Sequence, residues 1–180
     1  MAEVEEKRRQ WRERADNKEP SFLGRHFVPV LRGPKDRLYA IDHHHLALAL
    51  LLEEQDEIAV TVVADLSKLA KDEFWIFCDN HGWCRPYDAE GRRAPFGDIP
   101  KSLRDLADDP YRSLAGALRR AGGFSKETTP FLEFLWADFL RRRIERSLVE
   151  HSFSDALIQA LTLSKSLDAN HLPGWCGPTA

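Results

Sequence analysis

The stretch from Leu38 to Leu52, LYAIDHHHLALALLL, constrains the fold more than any other. Leu38, Tyr39, Ala40 and Ile41 form a short run of strand type. Leu46 to Leu52 contains only Ala and Leu, without a breaker, and reads as helix. Between them stand one acid and three consecutive histidines, Asp42, His43, His44 and His45. Asp42 is a good N-cap, expected to accept from the backbone N–H groups two and three residues on. A strand that feeds straight into a helix exposes the N–H donors and the positive dipole end of that helix, a natural seat for phosphate or another anion. Imidazoles at the same end can donate to the anion or bind a metal, and they titrate near neutral pH. The simpler alternative is a cap with a polar rim, although capping alone does not call for three adjacent histidines.

The flanking sequence supplies partners for this junction. Phe27 to Leu31 (FVPVL) and Arg37 to Ile41 are joined by the turn Gly33-Pro34-Lys35-Asp36 and predict a hairpin, in which Pro29 assigns the first run to an edge or a strand start. Ile58 to Ala64 (IAVTVVA) is the strongest strand pattern and is expected to be buried on one or both faces. Strand, helix and strand with a short connection predict a right-handed crossover with the two strands parallel. The junction would then lie at the carboxyl end of a strand, where open sheets place ligands.

Elsewhere the chain reads mostly as helix. Glu3 to Ala15 is expected to be a solvated helix with Val4 and Trp11 as its anchors; its Lys7, Arg8, Arg9, Arg12 and Arg14 could touch a nucleic acid, but a surface helix of mixed sign is the preferred reading. Leu66 to Asn80 predicts a helix entered through Asp65 or Ser67, with Phe74, Trp75 and Phe77 inward. The irregular connection that follows, Pro86 to Pro100, is expected to hold Tyr87 near the junction. Further helices are predicted over Ser102 to Asp108, Tyr111 to Ala121 with Gly122-Gly123 as its stop, from Pro130 under a Thr128 or Thr129 cap, and over Ser154 to Leu167, with a tail from Pro173. The expected organisation is a charged N-terminal helix over 1–19, an α/β core over 20–100 and a helical extension over 101–180 packed on that core.

Composition narrows the function classes. A formal charge of -3 argues against a DNA binder that uses its whole surface. No apolar run approaches the roughly 20 residues that span a bilayer, and the first residues lack the apolar stretch of a signal peptide, so no membrane partner and a cytoplasmic location are expected. Cys78, Cys84 and Cys176 are an odd number and read as reduced thiols. Cys78, His81 and Cys84 could be read as a zinc site, but no second Cys/His pair follows, and structural thiols are the preferred reading. On a helical wheel Phe131, Phe134, Leu135 and Phe139 flank Asp138, which is therefore expected inside the apolar arc, paired with Arg142, Arg112, Arg119 or Lys126 in a structural ion pair rather than facing a ligand.

The run from Val28 through Leu66 resembles the ParB/sulfiredoxin-like superfamily, specifically its putative ParB-like nuclease branch. The later stretches GWCRPYDAEGRR, DDPYRSLAGALRRAGGF and PFLEFLWADFLRRR are similar to the same branch. The resemblance implies an α/β (α+β) fold, a small mixed sheet with a central helix followed by a C-terminal helical subdomain. In that superfamily the helix N-terminus carries the signature. ParB proteins place a Gly-Glu-Arg-Arg type sequence there, sulfiredoxins a catalytic cysteine, and related kinases of free serine a form close to Asp-Gly-His-x-Arg. Asp42 and His44 match the kinase-like form. No cysteine stands at the junction, which argues against sulfiredoxin chemistry, and the arginine is absent, so phosphate charge would fall to a protonated histidine or to the distant Arg112 or Arg119.

The resemblance thus implies a bacterial enzyme of phosphate chemistry, a nuclease (a phosphodiesterase, hence a hydrolase) or a phosphotransferase. A phosphate from a nucleotide such as ATP or CTP, or from nucleic acid, would sit on the N–H groups after Asp42. Asp42 would be general base or metal ligand, His44 and His45 would stabilise charge, and His43 and His45 would hold a divalent metal. Two other classes stay open. One is a non-catalytic nucleotide- or DNA-binding regulatory module whose helical half binds a partner or forms a homodimer. The other is a metal-binding protein using His43, His45 and either His81 or Asp79.

Overall fold

The computed structural model describes residues 2–16, 27–55 and 57–178. The chain forms two compact units, Met1–Pro86 with Arg93–Leu106, and Tyr87–Arg92 with Ala107–Ala180. Among the described residues no helix is long and apolar enough to cross a membrane.

The first unit contains α1 (Ala2–Asp16), β1 (Val28–Arg32), β2 (Leu38–Ala40), α2 (His44–Leu52), β3 (Val60–Asp65) and α3 (Lys71–Asn80). The strands form a mixed sheet in the order β2-β1-β3. The hairpin forms as predicted, with Val30 opposite Ala40 and Arg32 opposite Leu38. Three expectations fail here. Strand β3 runs parallel to β1, with Val28 opposite Val60, and does not pair with β2. A crossover can return to any strand of the right direction, and β2, antiparallel to β1, points the wrong way.

Pro29 also stands in the central strand rather than at an edge. Val28 N donates to Ala59 O at 3.0 Å and Pro29 O accepts from Ile41 N at 3.0 Å, so the missing proline donor faces β2. The β2 strand ends at Ala40, and the proline therefore removes one bond at the end of that ladder and none from the parallel one. Contrary to the burial its pattern predicts, β3 is an edge strand with Thr61, Val62 and Val63 exposed.

Helix α2 is the centre of this unit. Leu46, Ala47, Leu48, Ala49 and Leu50 are all buried, as expected of a helix that is apolar on every side. Ala47 packs on Val28 and Val30 of the sheet. Val4 of α1 covers Leu48 and Ala49, and Trp11 covers Leu46 and Leu50. Each such leucine contributes about 1.5–3 kcal/mol by leaving water. Helix α1 is thus docked, not merely solvated. At the far end of α2, Glu53 accepts from Arg8 Nε at 2.6 Å and from Arg12 Nη2 at 2.7 Å. The Arg12 bonds first, then that of Arg8, hold the Glu53 carboxyl down to about 2.

On the opposite sheet face Leu31 packs against Phe74 and Cys78 of α3. That helix opens at Lys71, not Leu66, because Asp65 accepts from Ser67 N at 3.0 Å and ties the chain into a turn. Its cap comes from Glu73, which accepts from Ala70 N at 2.9 Å. Phe74 is buried as predicted, while Trp75 and Phe77 are half-buried.

The second unit contains α4 (Pro110–Arg120), α5 (Leu132–Arg141), α6 (Arg146–His151) and α7 (Phe153–Lys165) around one core that includes Leu114, Leu118, Trp136, Leu140 and Ala160. Trp136 stacks on Phe124 at 4.4 Å and donates to Pro173 O at 2.9 Å, so the segment read as a tail is tied to the core. Helix α5 starts at Leu132 with Phe131 in the left-handed region, without a threonine cap. The predicted Ser102–Asp108 helix is only the 3-10 turn Leu103–Asp105, in the first unit. Asp138 is not inside the apolar arc. It is 51% exposed and pairs with Arg142 at 3.0 Å. The buried arc of α5 is centred on Leu132, Trp136 and Leu140, which places Asp138 on the opposite side.

Candidate functional site

The junction between β2 and α2 differs from its predicted form in one backbone angle with several consequences. His43, not Asp42, is the N-cap residue, with φ 59 in the left-handed region. Histidine is among the residues enriched there, yet the conformation costs about 1–2 kcal/mol relative to a right-handed one. Asp42 Oδ1 accepts from His43 N at 2.7 Å and does not reach the first turn of the helix. Among the described residues no side chain caps α2, so the N–H groups of His44, His45 and Leu46 open the helix at the positive end of its dipole. Asp42 and His43 are both exposed.

The three imidazoles diverge. His43 Nδ1 donates to Phe27 O at 3.1 Å, which leaves Nε2 as the acceptor nitrogen of the neutral ring. His44 Nε2 donates to Ala40 O at 3.1 Å, closing the turn from inside. Burial pushes the His44 imidazole below its ordinary value, with the Ala40 bond opposing the shift. His44 is therefore poorly suited to carry the positive charge assigned to it from sequence. His45 Nδ1 lies 2.7 Å from Glu3 Oε2 of α1, an ion pair when the ring is protonated.

The location on the sheet also changes. Since β2 is antiparallel to β1, its carboxyl end lies beside the amino ends of β1 and β3, as the bond from His43 to Phe27 shows. The carboxyl ends of the parallel pair are at the opposite edge, where Arg32 meets Asp65 at 3.7 Å and Asp36 at 3.1 Å. The positional rule for parallel sheets does not support the junction; the uncapped helix end does.

Other candidates sort out plainly. Among the described residues no group of three or more His, Cys, Asp or Glu could hold a metal ion. His43 and His45, whose rings turn to Phe27 and to Glu3, are thus not joined by a further ligand of those types among the described residues. Cys78 and Cys84 are free thiols, each pushed up to about 11 by burial, and the His81 ring packs on Phe77 at 4.1 Å and Trp83 at 4.8 Å. Arg8 and Arg12 are committed to Glu53. Arg112 and Arg119 lie in the second unit, at 3.9 Å and 3.2 Å from Glu133. Tyr87, expected beside the junction, stacks on Phe134 at 4.5 Å in that unit. The sequence reading missed Glu3 and Phe27 as junction partners. The seven-residue spacing of Val4 and Trp11 marks the docked face of α1 that carries Glu3 to His45, whereas the carbonyl of Phe27 leaves no trace in a sequence.

Residues 1–142 match the protein family described as "Putative ParB-like nuclease". The crystal structure of protein Atu1540 from Agrobacterium tumefaciens is similar at a TM-score of 0.91 and 56% identity, over 99% of this chain and 88% of that one. No curated protein matches this chain.

Proposed function

This chain belongs to the putative ParB-like nuclease family, and from that membership we propose that it binds a nucleic-acid phosphodiester at the junction of β2 and α2 and hydrolyses it. The observation that supports this reading most is the left-handed His43, which turns the strand into a helix end with no side-chain cap. A non-bridging phosphate oxygen accepts from the N–H groups of His44, His45 and Leu46, where the helix dipole favours negative charge. His43 Nε2, kept as the acceptor nitrogen by the bond from Nδ1 to Phe27, takes a proton from the attacking water as that water's oxygen bonds to phosphorus. The P–O bond to the leaving sugar oxygen breaks, and that oxygen takes a proton from solvent. Asp42 and His44 are positioning residues, one holding the N–H of His43 and the other bracing the turn on Ala40.

Cleavage of end-labelled single- and double-stranded oligonucleotides tests this. Wild type is expected to shorten them, and His43→Ala to slow cleavage by about 10²–10⁴-fold, the usual contribution of a general base, while binding falls much less. Binding by wild type without any cleavage would instead make the chain a binding module, and equal cleavage by the variant would remove His43 from the reaction.

A further inference from the structure

The second unit holds an arrangement that the junction does not use. Arg112 and Arg119 stand two turns apart on one face of α4, and both approach Glu133 at the start of α5. Two guanidiniums thus share one carboxylate, which leaves a surplus positive charge. Glu133 does not satisfy them either. Arg119 Nε lies 3.2 Å from Oε1 without the alignment of a hydrogen bond, Arg112 Nη2 is 3.9 Å from Oε2, and the buried Arg112 Nη1 and Arg119 Nε have no hydrogen-bond partner among the described residues. These two donors are buried, so what they leave is guanidinium charge that Glu133 compensates only in part, and this favours an anion at the exposed edge of each group. The side chains of Arg112 and Arg119 keep 25% and 32% exposure, enough for a ligand to reach their outer edges.

An aromatic surface adjoins this charge. The Arg112 guanidinium lies over the Phe134 ring at 5.4 Å, and Tyr87 stacks on the same ring at 4.5 Å with the planes 18° apart. The loop that carries Tyr87 packs on Arg141 at the end of α5. Gly91 (φ +75) sits against the Arg141 guanidinium so closely that a Cβ would fall 2.2 Å from Nη2, and Arg141 itself donates to both oxygens of Asp109 at 2.7 and 3.3 Å. Half-buried aromatic rings beside paired arginines combine the two contacts used for single nucleotide units, a charge-assisted bond to phosphate and stacking on the base.

We propose that Arg112, Arg119 and the Tyr87–Phe134 stack form a second subsite for a nucleotide unit, its phosphate held by the guanidiniums and its base laid on the rings. Glu133 then acts as an internal competitor that offsets one of the two charges. The source is either a free mononucleotide or one residue of a nucleic acid, and the chemistry of contact is the same for both. The inference does not depend on the junction, and its test is run in the His43→Ala background, with His44→Ala as a second background, to keep the two apart.

The experiment is a calorimetric titration at low salt with inorganic phosphate, AMP and a short single-stranded oligonucleotide. AMP is expected to bind more tightly than phosphate. Arg112→Gln and Arg119→Gln are each expected to weaken AMP about tenfold or more, the scale of one charge-assisted contact. Tyr87→Ala is expected to bring AMP down to the level of phosphate. The sharpest result comes from Glu133→Gln, which should tighten AMP several-fold, whereas a purely structural ion pair would give no gain in binding. An oligonucleotide that follows the same pattern more tightly than AMP identifies nucleic acid as the source, and AMP binding alone identifies a free nucleotide. Absence of binding by AMP and oligonucleotide alike, or a Glu133→Gln variant that binds AMP no better, overturns the proposal.

Discussion

Helices α2 and α5 are both strongly apolar, yet they leave different surfaces for function. Helix α2 is buried on every side along Leu46–Leu50, by the sheet, by α1 and by Leu103 and Leu106, so its ends rather than its sides remain available to a ligand. Helix α5 is buried on one arc around Trp136 and Leu140, and its other flank carries Glu133, Phe134 and Asp138. The first unit therefore offers backbone N–H groups and a titratable imidazole, while the second offers permanent guanidinium charge and aromatic rings. How completely a helix is buried decides whether its end or its side stays open to a ligand.

The largest expected effects probe the two interiors. Trp136→Ala should destabilise by about 3–5 kcal/mol, since it removes a fully buried ring and its bond to Pro173, and Leu50→Ala by about 2–5 kcal/mol. Chemical denaturation followed by tryptophan fluorescence and circular dichroism measures both. A loss below about 1 kcal/mol at Leu50 would mean that α2 is not the centre of its unit.

A smaller effect separates the sites by pH. The His44 imidazole is held below its ordinary value by burial, so the unfolded chain takes up its proton first as the pH falls. The associated stability is present in full above about 6.5 and is lost progressively below it, toward the lower value of the folded state. His44→Asn should flatten stability against pH across that range. An unchanged profile would show that the ring is not buried in its neutral form.

The smallest effect belongs to Asp138. As an exposed i,i+4 partner of Arg142, it should cost less than about 0.5 kcal/mol when changed to Ala. A loss of several kilocalories would restore the buried carboxylate that the helical wheel suggested.

That wheel shows where sequence alone stops. Helix α5 is apolar on more than half its circumference, and Phe131, Phe134, Leu135 and Phe139 describe an arc as plausible as the one that Leu132, Trp136 and Leu140 bury. The choice depends on which side α4 and α7 occupy, a fact of tertiary packing. The strands and the hairpin were legible because period and turn chemistry are local. The partner of β3 was not, since its pattern suits any parallel neighbour, nor was its edge position, which left an apolar run exposed. At the junction, residue types pointed to a helix start among histidines. The left-handed turn at His43 moved the cap by one residue and released Asp42 from it. The divergence of the imidazoles follows from partners at Phe27, Ala40 and Glu3, two of them backbone carbonyls.

Phosphate is expected to bind on the N–H groups that open α2. Amide chemical shifts of ¹⁵N-labelled protein, followed during titration with a short oligonucleotide, test it most directly. The largest movements are expected at His44, His45 and Leu46, and they should shrink in His43→Pro, whose ring cannot adopt the left-handed turn. Saturable shifts elsewhere, with these three amides unmoved, would contradict it.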